Sequence, residues 1–186
     1  MILVGTGAGC RSFNDEGVEE VELAGHRLGA MTPETGGTGL AVVDEHEVWR
    51  RNLDGSWHRL ATADVVLQSI AAVGDTIFAG AMSEAAVLRI EASGRAVRLE
   101  SFDHVPGRSE WFAVGPPLGV RSMALNADAT AILAAVHVGG IPRSIDGGDS
   151  WAPTLPILFD VHEVRAHPFL PNFVAAAAAV GLCVSM

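Results

Sequence analysis

Tyrosine is absent from this sequence of 186 residues, and cysteine and basic residues are scarce. Without tyrosine, no mechanism that depends on a phenolic nucleophile is available to the chain. Its two cysteines, Cys10 and Cys183, are too few for a disulfide framework. We therefore expect two reduced thiols in a cytoplasmic protein.

Long apolar runs are also lacking. The longest, residues 173–184, covers about 12 positions, whereas a helix that crosses a bilayer needs about 20. The first residues of the chain contain no basic segment followed by an apolar stretch of signal-peptide length. We expect no membrane partner.

Positive charge is in deficit. Lysine and arginine together number 12 against 22 acidic residues, which gives a formal net charge of −10. An acidic chain without a local basic cluster repels phosphate backbones, so we expect no nucleic-acid partner. We found neither a glycine-rich phosphate motif in a strand-turn-helix context nor a convincing metal-ligand spacing, and we predict no cofactor and no metal.

Glycine and proline, by contrast, are frequent, and they punctuate the chain. The 21 glycines and 9 prolines separate short apolar runs, a pattern that favours an all-β fold over a helical one. An ambiguous segment is the alanine-rich run 174–180, because alanine has the highest helix propensity. Its place in the repeat described below favours a strand.

The most informative stretch is the octapeptide 144–151, which has the form S-x-D-x-G-x-S-W. Each fixed position suits a tight hairpin between two strands: Asp146 can accept bonds from its own turn, Gly148 can adopt a positive φ, and Trp151 can fold its ring beneath the loop. The fixed positions, which we predict to be structural, are Ser144, Asp146, Gly148, Ser150 and Trp151.

This octapeptide resembles the Asp-box of BNR-type β-propellers. The stretches 136–151 and 160–168 are similar to bacterial YVTN/BNR-like repeat proteins of the sialidase and sortilin-like propeller superfamily. The resemblance implies an all-β propeller of four-stranded antiparallel blades, longer than this chain, with no secure activity. Sialidases of this kind use a tyrosine nucleophile, which the chain does not contain.

The box recurs in weaker form. Aligned first positions are Ser12, Arg50, Arg89, Ser144 and Ser185, with gaps of 38, 39, 55 and 41 residues, close to the roughly 40 to 50 residues of a propeller blade. We predict a single propeller domain or a fragment of one, with about four to five blades. The predicted blades are 1–25, 26–64, 65–104, 118–158 and the incomplete 159–186, with an insertion loop at 105–117.

The two end units have three predicted strands each. Those of the first are 1–8, 10–14 and 18–23, which lack an innermost strand, and those of the last are 161–166, 173–180 and 182–186. In the insertion loop, Trp111 and Phe112 are either a sugar-stacking platform or a cap over the core between two blades.

Polar residues recur on the innermost strands, which line the central channel of a propeller. Taking Ile70, Met123 and Val164 as equivalent core positions, the residues two earlier, which strand alternation is expected to place on the same face, are polar. With two neighbours they make up the predicted ligand-binding set at one channel mouth: Gln68, Arg121, His137, Asp160 and His162.

Three interpretations of this set stay open. It is a structural network in which Asp160 accepts from Arg121 or His162, a pocket for a small ligand or glycan, or a metal site that also uses His167. The functional prediction is a non-enzymatic binding or scaffold propeller whose channel face takes a small ligand, a glycan or a protein. The alternative is a glycosyl-hydrolase-like enzyme with its acid and base around Asp160, Glu110 and His162, with Glu163 as a further carboxylate.

Overall fold

The computed structural model describes residues 1–17 and 19–185, and its regular structure is almost entirely β-strand. The predicted strand 18–23 begins at Val18, and the predicted strand 182–186 ends at Met186. Both of these residues lie outside the described residues. The strands, grouped by the five sheets they form, are β1 Ile2–Thr6, β2 Gly9–Phe13 and β3 Glu19–Glu22; β4 Leu28–Pro33, β5 Gly39–Val43, β6 Glu47–Arg51 and β7 Trp57–Thr62; β8 Leu67–Val73, β9 Thr76–Ala81, β10 Val87–Ile90 and β11 Ala96–Arg98; β12 Val120–Leu125, β13 Ile132–Val136, β14 Pro142–Ser144 and β15 Ala152–Pro153; β16 Val161–Ala166, β17 Val174–Ala178 and β18 Gly181–Ser185.

Short 3-10 helices are the only helical elements in the described part of the chain. They are Thr35–Gly37, Glu100–His104, Arg108–Glu110 and Ile157–Phe159. None of the helices formed by the described residues has the length and apolar character needed to cross a membrane.

Each sheet is an antiparallel meander in which every strand pairs with the next one in sequence. Hairpins of this kind need tight turns, and glycines with positive φ occupy several of them, such as Gly74 (φ 60°) between β8 and β9. The second, third and fourth sheets have four strands, and the first and fifth have three.

The sheets pack side by side in chain order, because the outermost strand of each connects to the innermost strand of the next. The innermost strands β4, β8, β12 and β16 contact one another in sequence. Apolar side chains that alternate along the strands fill the spaces between neighbouring sheets. This radial arrangement confirms the predicted all-β propeller.

The alanine-rich tail is a strand, as the repeat predicts. β17 pairs with β16 on one side and β18 on the other, so the backbone bonds of the segment go to its neighbours rather than along a helix. Ala176 faces the fourth sheet and is 4% exposed, and its small side chain fits where two sheets approach closely.

Strand pairing corrects the repeat alignment in two sheets. Ser144 lies opposite Ile132, and Ser185 lies opposite the equivalent residue Val174, as aligned. In the second and third sheets, however, the equivalent places are held by Arg51 and Ile90, one residue beyond the aligned Arg50 and Arg89. In the second sheet the reason is a shorter turn, since Trp57 follows Arg51 by six positions, whereas Trp151 follows Ser144 by seven.

The inserted segment covers the core between the third and fourth sheets. Trp111 is buried, with its ring 5.8 Å from that of Phe102, and the Arg108 guanidinium lies 4.9 Å from the Trp111 ring centre. Phe112 is exposed. For Trp111 the structure therefore agrees with the core-capping interpretation and contradicts the sugar-stacking one, because its ring is covered by protein.

Candidate functional site

A β-bulge at the same register places three of the predicted site residues. In β8, β12 and β16 the pairing slips by one residue, so one residue per strand has no partner across the ladder. The unpaired residues are Gln68, Arg121 and His162. The expectation that they share a face with the core positions two residues later was wrong, because an extra residue breaks the two-residue alternation.

His137 reaches the site from the turn that follows β13. Its imidazole is nearly fully buried, and its backbone N–H donates to the Gly119 carbonyl at 3.1 Å. The ring Nδ1 lies 3.3 Å from the Pro117 carbonyl. Since a carbonyl only accepts, Nδ1 carries the proton, and Nε2 is the ring nitrogen that faces Asp160.

Asp160 stands at the centre of the group. It follows the short helix Ile157–Phe159 in the left-handed conformation (φ 46°), and its carbonyl accepts from Ala179 at 3.1 Å. Oδ1 lies 3.7 Å from Arg121 Nη1 and 3.7 Å from His137 Nε2, and Oδ2 lies 3.8 Å from His162 Nε2. All three separations exceed those of direct hydrogen bonds.

Arg121 and His162 contact each other directly. Arg121 Nη1 donates to His162 Nδ1 at 2.7 Å. A guanidinium has no acceptor, so His162 Nδ1 is unprotonated and the neutral ring carries its proton on Nε2, the atom nearest Asp160. His162 is about half exposed at its side chain, which leaves this edge of the site open.

Asp160 Oδ1 is the unusual atom of the cluster. It is shielded from solvent and has no hydrogen-bond partner. Among the described residues, no other shielded side-chain oxygen or nitrogen lacks such a partner. A buried acceptor without a donor carries a desolvation cost of about 1–3 kcal/mol. A ligand that brings a hydrogen-bond donor would satisfy this oxygen once a neighbouring side chain shifts, because the atom itself is shielded from solvent.

Two predicted residues lie outside the cluster. Gln68 projects from the neighbouring bulge into a cleft of about 120 Å³ that Arg27, Glu45 and Met82 also line. His167 follows the far end of β16, about 20 Å along the strand from Asp160, and its Nδ1 accepts from the N–H groups of Phe169 and Leu170. The metal interpretation that includes His167 is therefore wrong, and residues 1–17 and 19–185 contain no group of three His, Cys, Asp or Glu side chains arranged to hold a metal ion.

Two buried serines beside the bulges, Ser69 and Ser122, were not predicted from the sequence. Ser69 donates to the Val120 carbonyl at 2.7 Å, and Ser122 donates to Glu163 Oε1 at 2.8 Å and accepts from the Val164 N–H at 3.2 Å. Each hydroxyl joins one innermost strand to the next. The available sequence signal was that serine follows the polar residue in both Gln68-Ser69 and Arg121-Ser122.

The turn at residues 144–151 forms a compact set of hydrogen bonds. Asp146 accepts from the Ser150 N–H at 2.9 Å, from the Ser150 hydroxyl at 2.5 Å and from the Ser144 hydroxyl at 2.7 Å. These donors, Ser150 first, lower the pKa of Asp146 from 3.8 to about 2. Trp151 lies under the turn, where its Nε1 donates to the Gly148 carbonyl at 3.2 Å and its ring meets Phe102 edge-on at 4.8 Å.

Comparisons with known proteins agree on the fold. No protein-family model matches the chain, and no curated protein matches it. Solved structures do, including "Structure of U3-55K" and "Crystal structure of RRP9 WD40 repeats", each with a TM-score of 0.71 and 12% sequence identity. The alignments cover 98% of this chain but only 63% and 62% of those chains.

The fold is shared with WD40 β-propellers. At 12% identity the likeness concerns architecture alone. This chain spans a little over three fifths of the length of the structures it matches.

Proposed function

We propose that this propeller is a non-enzymatic binding protein, and that the cluster of Arg121, His137, Asp160 and His162 at the channel mouth contacts its ligand. The observation that carries the proposal is the shielded Asp160 Oδ1, which has no hydrogen-bond donor although nitrogens of Arg121 and His137 each lie 3.7 Å from it. Ordinary structural networks satisfy such atoms.

The protonation states define the ligand chemistry. Asp160 Oδ1 accepts, and His137, whose Nδ1 faces the Pro117 carbonyl, presents Nε2 as a second acceptor when the imidazole is in its neutral form. A ligand group with two donor hydrogens, such as a primary amide or an ammonium, satisfies both atoms, whereas a hydroxyl satisfies one. A small molecule, a glycan or a side chain of a protein partner can present such groups.

Glycoside hydrolysis has less support. Glu163, the nearest carboxylate in sequence, accepts from Ser122 and from Arg165 Nε at 2.9 Å, so it belongs to the joint between β12 and β16. Glu110 lies exposed on the helix Arg108–Glu110 of the inserted segment. The partners found around Asp160 in the described structure are one arginine and two histidines rather than a second carboxylate.

The Asp-box hydrogen bonds support the inference that the chain is related to YVTN/BNR repeat propellers, and the free thiols of Cys10 and Cys183 support a cytoplasmic location. Both remain proposals.

Saturation-transfer NMR tests the binding proposal directly. Methyl glycosides and N-acetyl amino-acid amides serve as the two probe classes, and wild type is compared with Asp160→Asn. Asparagine tolerates the left-handed conformation at this position, so the backbone is retained while the acceptor charge is lost. Asp64→Asn, at an exposed position on another loop, is the matched control.

We expect one probe class to bind wild type and Asp64→Asn and to bind Asp160→Asn at least tenfold more weakly. Equal binding to all three proteins, or no transfer to any probe, contradicts the proposal. Turnover of aryl glycosides that is lost in Asp160→Asn would favour the hydrolase alternative instead.

A further inference from the structure

Arg121 has two acceptors close to it and donates to one of them. Its Nη1 donates to His162 Nδ1 at 2.7 Å, while Asp160 Oδ1 lies 3.7 Å away and has no hydrogen-bond partner. A bond from a guanidinium to a carboxylate is the stronger of the two kinds, because both groups are charged. The place of Arg121 in the structure therefore depends on His162 remaining an acceptor.

His162 accepts from Arg121 only while its imidazole is neutral. A protonated imidazole has two N–H donors and no acceptor, so Arg121 would then face a second donor and a like charge at 2.7 Å. Histidine is the side chain that ordinarily changes its charge between about pH 5 and pH 8. Acidification within this range therefore removes the acceptor that holds Arg121.

Asp160 Oδ1 is the acceptor that a released Arg121 can reach with little movement. Nη1 lies 3.7 Å from this oxygen, so an approach of about 0.9 Å gives a charge-assisted hydrogen bond of about 2.8 Å. The same carboxylate attracts a protonated His162, whose Nε2 lies 3.8 Å from Oδ2. Both cations of the acidified site thus find their counter-charge on Asp160.

Three further ionisable side chains lie near this pair in the described structure: His137, Glu163 and Arg165. Glu163 and Arg165 pair with each other at 2.9 Å, and β17 places alanines opposite them. His137 Nε2 lies 3.7 Å from Asp160 Oδ1, so a proton on Nε2 would also supply a donor to that oxygen. His137 is therefore the group whose titration must be separated from that of His162.

We propose that His162 is a pH-sensitive switch, and that its protonation transfers the Arg121 guanidinium from His162 Nδ1 to Asp160 Oδ1. The neutral form leaves Oδ1 without a donor, whereas the protonated form supplies a donor from within the chain. Arg121 and a bound ligand thus compete for one oxygen, and binding weakens as the pH falls. This effect on binding rests on the proposed function, but the exchange of hydrogen-bond partners does not.

Crystal structures of the intact protein at pH 8 and pH 5 test the exchange without a ligand. We expect Arg121 Nη1 on His162 Nδ1 at pH 8 and within about 3 Å of Asp160 Oδ1 at pH 5. In His162→Asn, Arg121 should keep one position at both pH values, because an amide oxygen accepts its bond and does not titrate. An Arg121 that stays on His162 at pH 5, or turns into solvent, overturns the proposal.

Imidazole nitrogen NMR of the same protein identifies the histidine that takes up the proton. Between pH 8 and pH 5 we expect His162 Nδ1 to change from unprotonated to protonated. If His137 took up the proton while His162 stayed neutral, control of Asp160 would belong to His137 and the proposal would be wrong. A His162 that is already protonated at pH 8 contradicts it equally.

The effect on binding is measured with N-acetyl amides of amino acids that have no ionisable side chain, because their own charge does not change with pH. Wild type and the control His58→Asn, at an exposed position on β7, should bind about tenfold more weakly at pH 5 than at pH 8. In His162→Asn the two affinities should be equal, and an undiminished pH effect there overturns the control of binding. Absence of binding at both pH values contradicts the proposed function, while the crystal structures still decide the exchange of partners.

Discussion

Arg51 and Glu22 form a two-point ion pair that joins the second sheet to the first. Arg51 Nε donates to Glu22 Oε2 at 2.8 Å and Nη2 donates to Oε1 at 2.7 Å, with side chains 7% and 10% exposed. Trp57 Nε1 adds a third bond to Oε2 at 2.6 Å. One carboxylate thus fixes an arginine and an indole from the neighbouring sheet.

Removing one member of this pair should cost far more stability than breaking a surface pair. Arg51→Met leaves a buried carboxylate without its cation, and we expect a loss of about 3 kcal/mol in the free energy of unfolding by urea titration. The control is Arg27→Met, which breaks the exposed pair with Glu45 and should change stability by about 0–1 kcal/mol. Similar losses in both variants would contradict a special role for the buried pair.

The same pair gives a pH dependence. Burial opposes ionisation of Glu22, but the bonds from Arg51, Trp57 and Ser12 outweigh it and lower the pKa of the carboxyl below 4.5. Its stabilising contribution is therefore complete above pH 4.5 and is lost as the pH falls through the lower pKa of the folded state. Glu22→Gln should flatten this part of the stability profile, which thermal unfolding between pH 3 and 7 measures.

The turn at residues 144–151 gives a second titration prediction. Ser150 is the first cause of the pKa of about 2 at Asp146, so Ser150→Ala should raise that pKa towards 3.8. The contribution of the turn to stability is present above pH 3.8 and declines as the pH approaches 2. Carboxyl-carbon NMR of Asp146 measures the shift, with Ser109→Ala as the distant control. An unchanged pKa in Ser150→Ala would contradict the assigned hydrogen bonds.

The turn signature and its spacing were enough to predict the radial fold, because each box residue has a local role that the sequence displays. Asp146, Gly148 and Trp151 act within their own hairpin. The Arg51–Glu22 pair could not be predicted, since its members are 29 positions apart and the sequence around Glu22 is typical of an exposed outer strand.

The cluster of Arg121, His137, Asp160 and His162 was found by reasoning that was partly wrong. The polar residues at Arg121 and His162 do meet Asp160 and His137, but a bulge rather than strand alternation turns them there. A bulge adds one residue to a strand without a distinct sequence mark, so only strand pairing exposes it. Gln68 shares the bulge yet lies in the next cleft, a difference that register alone does not predict.

The two thiols should differ sharply in reactivity. Cys10 is fully buried, and this burial, followed by the charge of Glu22, raises the pKa of its thiol. Cys183, on β18, is partly exposed. We expect DTNB to titrate one thiol per native chain and two in denaturant, and Cys183→Ser should leave none reactive in the native state. Equal rates at both thiols would contradict the packing around Cys10.

Close packing at the joint between the third and fourth sheets depends on Gly80. A methyl group at this position would lie 2.6 Å from Val120 Cβ and against the Ser69 hydroxyl, which is the group that bridges β8 to β12. Gly80→Ala should therefore lower the free energy of unfolding by about 2 kcal/mol. Gly7→Ala is the control, since its added methyl meets no atom within 4 Å. If Gly80→Ala proved as stable as Gly7→Ala in urea titration, the innermost strands could not lie as close together as the Ser69 bridge requires.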